Sequence, residues 1–349
     1  MAGNLRSGGL LMANVLVTGG AGYVGSVCCS ELLRLGHSVT VVDDLSTGFR
    51  DAVPAGAAFV HLHVRDACAV RELAMQNRFD AVFHFAAKAL IPESVSDPGA
   101  FFQTNVASSI SMLEALRAAG IHAFVFSSSA SVYGTPEMTP IDEDSAKNPV
   151  NSYGLTKLIL EQALEWYAKA YGWSVTAFRY FSAAGATTHH GECHHPETHL
   201  IPLLLETAAG EREYFNLYGD DYKTFDGTCL RDFVHVLDIA RAHIFALDKV
   251  NQPGMRCYNI GLGKAYSVRQ VHREVEIVTG RTVPLRVAGR RPGDPSVLCA
   301  SPRRIMEDLG WNPEHSSLHE IVESAWLWKQ KQLERSIAAA PAINRQSIL

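Results

Sequence analysis

The chain has 349 residues, 47% of them apolar, enough to bury a large core in one large or two unequal domains. Its 31 Lys and Arg against 36 Asp and Glu leave a net charge of −5 with no long basic run, which argues against a nucleic-acid or anionic-membrane surface. Seven cysteines without a Cys-x-x-Cys pair fit the buried thiols of a reducing compartment, and no apolar run reaches the roughly 18 residues that suggest a bilayer span, so a cytoplasmic protein with a small-molecule partner is expected.

Residues 1–12 precede the first strand and read as an N-terminal extension with no assigned role. The strand Val15-Leu16-Val17 then runs into Thr18-Gly19-Gly20-Ala21-Gly22-Tyr23-Val24-Gly25, after which Val24, Cys28, Leu32 and Leu35 recur at helical spacing. Gly19 permits the tight turn, Gly22 lets the backbone approach a pyrophosphate, and Gly25 lets the helix pack on the sheet while its first amides face the anion. A second strand, 38–42, ends at Asp43, whose carboxylate suits the two ribose hydroxyls of an adenosine and repels a 2′-phosphate, so NAD is expected rather than NADP. Further β-branched and aromatic runs near 59–60, 81–85, 124–126 and 175–178 alternate with helical segments. The fold class is therefore α/β, a Rossmann-type doubly wound parallel sheet.

Ligands of such sheets bind beyond the carboxyl ends of the strands. Three polar clusters fall there: 86–94, Ser127-Ser128-Ser129, and Arg179-Tyr180-Phe181-Ser182. The serine cluster comes shortly before Asn151-Ser152-Tyr153-Gly154-Leu155-Thr156-Lys157, in which Tyr153 and Lys157 share a helix face at i, i+4. An ammonium beside a phenol favours the phenolate, and a serine hydroxyl can hydrogen-bond an alcohol that is losing its proton. Ser129, Tyr153 and Lys157 beside a dinucleotide turn point to hydride transfer. After Ser182 the alternation degrades into His-, Gly- and Pro-rich loops. We expect an NAD-binding domain over 13–182 with at least one later segment returning to the sheet, a smaller C-terminal α/β substrate domain over 183–334, and a tail over 335–349.

With those motifs in view the chain resembles the extended short-chain dehydrogenase/reductases, and within them the UDP-sugar 4-epimerases of the NAD-dependent epimerase/dehydratase family. The likeness covers nearly all of residues 13–330, including His84-Phe85-Ala86-Ala87, Pro92-Glu93-Ser94, Pro196-Glu197-Thr198-His199-Leu200-Ile201-Pro202, Asp226-Gly227-Thr228-Cys229-Leu230-Arg231-Asp232 and Arg290-Arg291-Pro292-Gly293-Asp294. It implies interconversion of UDP-galactose and UDP-glucose through transient C4 oxidation by tightly bound NAD. Tyr153 would take the 4-hydroxyl proton, Ser129 assist it, and Lys157 hold the nicotinamide ribose and lower the Tyr153 pKa. The resemblance further implies that Tyr23, Val24, Asp43, Asp44, Val64, Phe85, Ala86, Ala87, Thr104 and Phe181 line the cofactor. Ser182, His199, Leu200, Asn216, Tyr218, Arg231, Arg291, Asp294 and Leu298 would line the UDP-sugar, and the protein would form a homodimer through helices near 100–119 and 152–171.

Several positions depart from the family pattern. Leu62-His63-Val64-Arg65 stands where relatives carry an Asp near the adenine, so His63 is the candidate substitute, and Lys88 comes one place earlier than the cofactor-contacting Lys. Ser182 replaces a frequent Asn, and Leu298 stands where relatives strict for glucose and galactose carry a larger Tyr, which implies activity on UDP-GalNAc and UDP-GlcNAc. The cluster His189, His190, Cys193, His194, His195 and His199 lacks a clean ligand spacing, and no metal is expected. Ala130-Ser131 cannot supply the Asp-Glu acid and base of the related dehydratases. UDP-pentose or UDP-uronate 4-epimerisation, and a non-catalytic NAD sensor, are the alternatives.

Overall fold

The computed structural model describes residues 12–291 and 294–339, with side chains through Arg335. Seven parallel strands form the main sheet: β1 Asn14–Thr18, β2 Ser38–Asp43, β3 Ala58–His61, β4 Ala81–His84, β5 Ala123–Ser129, β6 Ser174–Tyr180, and a late-returning strand, Gly254–Ile260. Their spatial order is Gly254–Ile260, β6, β5, β4, β1, β2, β3, so the winding reverses between β1 and β4. Helices cover both faces, which is why the strands read as continuous apolar runs. Val15 and Val17 enter one core with Phe83 and Val125, and Leu16 enters the other with Val82 and Phe124, as alternation across a pleat requires.

A third core gathers Ile201, Leu204, Phe215, Leu217, Val271, Val275, Ile321 and Val322. Around it stand two small sheets: Phe215–Tyr218 beside Leu285–Ala288, and Leu230–Arg231 between Tyr266–Ser267 and Val297–Leu298. The helix Leu318–Ala339 runs past Arg335, where a tail was expected. That stretch has no amphipathic period, but its alanines favour a helix without one. Residues 1–11, 340–349 and the pair 292–293 lie outside the described residues. No helix among the described residues is long and apolar enough to cross a membrane.

The segment 100–119 is not one regular helix. It passes from Pro98–Phe101 through a widened π-type stretch, Phe102–Ala107, into Ser108–Ala118. There the buried Asn105 side chain receives the Lys88 N–H at 2.8 Å and donates to the Lys88 carbonyl at 3.0 Å and to Thr156 Oγ1 at 3.1 Å. The widened turn thus joins the loop after β4 to the helix Ser152–Tyr171. That helix starts cleanly because Asn151 caps it, accepting the Gly154 N–H at 2.8 Å. It stops at Gly172, whose φ of +67° suits glycine.

Arg179 occupies β6 rather than a ligand-facing loop, contrary to the sequence expectation. Its guanidinium is 2% exposed and meets Glu161 through two bonds, Nε–Oε1 at 3.0 Å and Nη2–Oε2 at 2.6 Å. Nη1 donates to Tyr133 Oη at 2.8 Å and to the Glu143 carbonyl at 3.0 Å, and Ser128 Oγ donates to Glu161 at 2.5 Å. Burial opposes the Arg179 charge, and the Glu161 carboxylate more than restores it. Such a pair is costly to break singly and far less costly to replace whole. Glu161→Gln should therefore lose about 3–5 kcal/mol of unfolding free energy in denaturant titrations, and Arg179→Met with Glu161→Leu should lose much less. Equal losses in the two proteins would contradict this account.

Candidate active site

Where the winding reverses, the carboxyl ends of β1, β2, β4, β5 and β6 open onto a cleft of about 860 Å³. Its floor at β1 is the glycine turn. Gly19 has φ +74°, and a Cβ there would lie 2.4 Å from the Ala86 nitrogen; a Cβ on Gly25 would lie 2.2 Å from the Gly19 carbonyl oxygen. Neither position admits another residue without moving backbone. A Cβ on Gly22 would meet only the Gly19 oxygen, at 3.3 Å, and otherwise project toward the cleft. Among the described residues no side chain caps the helix Tyr23–Arg34 that follows, so its first amides suit an anion. The cradle fits a dinucleotide pyrophosphate.

Asp43, at the end of β2, is 8% exposed and fixed by two backbone donors, Ala21 N–H to Oδ2 at 3.0 Å and Leu45 N–H to Oδ1 at 2.9 Å. Burial raises its pKa, and those two bonds work in the opposite direction. Asp44 lies next to it, and His63 Nε2 stands 3.7 Å from Asp44 Oδ2. His63, Val64, Asp43 and Asp44 all line the cleft, which brings the candidate adenine and ribose contacts together. Phe85, Ala86, Ala87, Thr104 and Phe181 line it further along. Lys88 also borders the cleft and is half-buried, pairing with Glu93 at 2.5 Å.

Ser129 ends β5, and Tyr153 and Lys157 rise from the first two turns of the adjoining helix into the same cleft. Lys157 is 4% exposed; its Nζ donates to the Ser127 carbonyl at 2.8 Å and lies 5.7 Å from the Tyr153 ring centre. Burial lowers its pKa from 10.5 to about 7, against the pull of Glu161 one turn on. Burial raises the Tyr153 pKa, and a hydrogen bond with Ser129 pulls it down. The expected lowering of Tyr153 by the ammonium is thus outweighed here: the same dry environment that disfavours the phenolate also disfavours the cation.

At the other end of the cleft, Ser182, His199, Leu200, Arg231, Arg291, Asp294 and Leu298 form the lining. Arg231 is held by the Asp294 carboxylate and donates to the Pro295 carbonyl at 3.0 Å, so the two candidate substrate residues are paired. Asn216 and Tyr218 do not line the cleft. Their strand stands beside it, and the Arg291 guanidinium lies 4.1 Å from the Tyr218 ring centre. That stacking covers one face of the Tyr218 ring.

Three contributors escaped the sequence reading. Glu161 follows Lys157 by another four residues on the same face, a spacing that the Tyr153–Lys157 argument already contained. Glu192 and His194 reach the cleft lining from a loop whose histidines had no clean spacing.

The family model for the NAD dependent epimerase/dehydratase family matches residues 15–261. A UDP-glucose 4-epimerase from Corynebacterium glutamicum is 46% identical over 325 residues, covering 93% of this chain and 98% of the relative. Among solved structures, UDP-glucose 4-epimerase from Brucella ovis in complex with NAD superposes with a TM-score of 0.87 at 42% identity, covering 90% of this chain and 97% of that one. UDP-glucose 4-epimerase from Bifidobacterium longum in complex with NAD+ and UDP gives a TM-score of 0.87 at 32% identity, with coverages of 92% and 99%. Sheet, glycine cradle and sequence agree: the chain belongs to the NAD dependent epimerase/dehydratase family.

Proposed function

We propose that this protein is a UDP-glucose 4-epimerase that interconverts UDP-galactose and UDP-glucose. The observation that carries this reading is a single cleft with a dinucleotide cradle at one end, Ser129, Tyr153 and Lys157 in the middle, and the arginines 231 and 291 at the other. NAD, held by the glycine turn, Asp43 and Lys157, would supply the acceptor and donor of the sugar's C4 hydride. Tyr153 takes the proton of the 4-hydroxyl as the C4 carbonyl forms and gives it back on reduction, so atoms and electrons balance over a turnover. Ser129 supports that transfer through its bond to Tyr153, and Lys157 supplies a cation near the phenol and the ribose. Arg231 and Arg291 suit the diphosphate once Arg231 exchanges Asp294 for the substrate.

The same reading assigns 13–182 with the strand Gly254–Ile260 to cofactor binding and most of 183–334 to the UDP-sugar. It extends to a cytoplasmic homodimer, for which the exposed Trp166 and Tyr171 on the helix Ser152–Tyr171 offer an apolar face. Leu298, on the cleft wall and packed against the small cluster of Ala130, Val132, Tyr133 and Ile141, leaves more room than a tyrosine would, which supports additional turnover of the N-acetylated pair.

Proton NMR of the anomeric region tests the function. Purified protein without added NAD should convert UDP-galactose to UDP-glucose with no net NADH, and Tyr153→Phe should reduce the rate about 10²–10⁴-fold. An unchanged substrate, even with NAD supplied, would sink the assignment. Leu298→Tyr should lower UDP-GalNAc turnover relative to UDP-galactose, whereas equal rejection of UDP-GalNAc by wild type and Leu298→Gly would refute the role of that position.

Lys157 adds a pH signature. Between about pH 7 and 10.5 the folded, cofactor-free chain has released a proton that the unfolded chain retains, so this group makes stability rise with pH across that window. Lys157→Met should flatten the slope of unfolding free energy between pH 7 and 9; an unaltered slope would show that Lys157 titrates normally.

A further inference from the structure

Beside the main cleft lies a second cavity of about 720 Å³, bounded by Tyr23, Phe49, the loop 185–199 and the helix Leu318–Ala339. Glu192, His194 and His199 border both cavities. The reaction proposed above uses neither Glu192 nor His194. We propose that Glu192, His194 and His199 bind a divalent transition-metal ion, best matched by zinc, which fastens this loop at the sugar-nucleotide end of the cleft.

One oxygen of Glu192 and one ring nitrogen from each histidine lie within 4.8 Å of one another. A tetrahedral ion with bonds of about 2.1 Å needs donors about 3.4 Å apart, so side-chain adjustment of about an ångström closes the set. Two imidazoles and a carboxylate suit zinc better than calcium or magnesium, which favour all-oxygen shells. All three donors come from one eight-residue stretch, Glu192 to His199, so its local fold sets their geometry.

That stretch is held from outside. The Glu192 carbonyl accepts Trp328 Nε1–H at 3.0 Å and Gln332 Nε2 at 3.2 Å, and Gln332 also bonds Cys193 Sγ at 3.0 Å. Backbone N–H groups of Cys193 and His194 meet Glu192 Oε1 at 2.9 and 3.0 Å and aim the carboxylate at the histidines. His194 Nδ1 bonds that same oxygen, and His199 Nδ1 stands 3.9 Å from Oε2. The nearly buried Glu197 carboxylate lies 2.8 Å from His199 Nδ1, where it can orient the ring as metal-bound histidines require or complete the coordination. His199 also begins the helix Leu200–Ala208, whose first residue lines the cleft. An ion here would fix the two flanks of the loop relative to that helix. Metal retention is independent of the epimerase reading; only its effect on UDP-sugar affinity rests on it.

The test begins with metal content. Full-length protein purified without chelators or an affinity tag, then equilibrated with Zn2+ and desalted, should retain about one zinc per chain by elemental analysis. Chelation should lower the thermal midpoint and Zn2+ restore it. Co2+ loading should produce visible absorption bands of a four- or five-coordinate ion. Glu192→Gln and His194→Gln should each weaken Zn2+ binding by at least the roughly 10–100-fold that loss of an outer-shell partner costs. On the epimerase reading, zinc removal should raise KM for UDP-galactose more than it lowers kcat. Wild-type protein that retains no zinc after loading, or that binds Zn2+ no more tightly than the two variants, would overturn the site and leave an ion-pair cluster in its place. The wild-type loading alone decides the matter if a variant fails to fold.

Discussion

The buried pairing of Arg179 with Glu161 is the constraint on which the active-site geometry depends. Glu161 sits one turn beyond Lys157, and Lys157 one turn beyond Tyr153, so the carboxylate fixes the rotation of the helix that carries both. Arg179 supplies the other side from near the carboxyl end of β6, and Ser128 and Tyr133 join it to the end of β5, where Ser129 stands. Asn259 extends the network to the returning strand, its Oδ1 accepting from Tyr133 Oη at 2.7 Å and its backbone N–H donating to Glu143 Oε1 at 2.8 Å. Side chains must be held to within about half an ångström for proton transfer. Here the precision comes from charges that have no access to water and therefore no alternative partner.

That arrangement explains the electrostatics of Tyr153 and Lys157, the pair proposed to transfer the proton. Lys157 is dry, and its nearest contact is a carbonyl rather than a carboxylate, so its charge is barely supported in the cofactor-free protein. Tyr153 shares the dry environment and has one hydrogen bond to lower its pKa. The two groups are of opposite charge type and burial disfavours the ionised form of each; a proton moving from phenol to amine would create two charges that stabilise each other. Burial alone thus opposes base strength, and the pair becomes competent through mutual support when the site fills.

The legible part of the sequence was the part written in backbone constraints. Gly19 and Gly25 had to be glycine because backbone stands where a Cβ would be, and that necessity was visible as spacing after a strand. Strand ends were equally legible, since parallel strands buried on both faces are short, apolar and β-branched. Arg179 was misread because a charged residue beside apolar ones looks like the end of a strand. Nothing local reveals that Glu161 waits on the helix Ser152–Tyr171, 18 residues earlier in the chain. The widened turn at 102–107 was illegible for a related reason: its stabilisation comes from Asn105 bonding to Lys88 and Thr156, both distant in sequence.

The loop 185–199 shows how far composition can mislead. Its histidines looked like an unordered cluster because no fixed interval separates them, yet folding sorts them into different environments. His190 turns inward to Ser30 at 2.8 Å, and burial drops its pKa to about 4. His194 and His199 instead converge on Glu192, held there by Trp328 and Gln332 from the C-terminal helix. The loop therefore couples that helix to the end of the cleft lined by Arg231 and Arg291 through contacts that are short, polar and shielded. A substrate-facing segment built this way gains its order from tertiary partners, so its behaviour depends on whatever occupies the space among those three side chains.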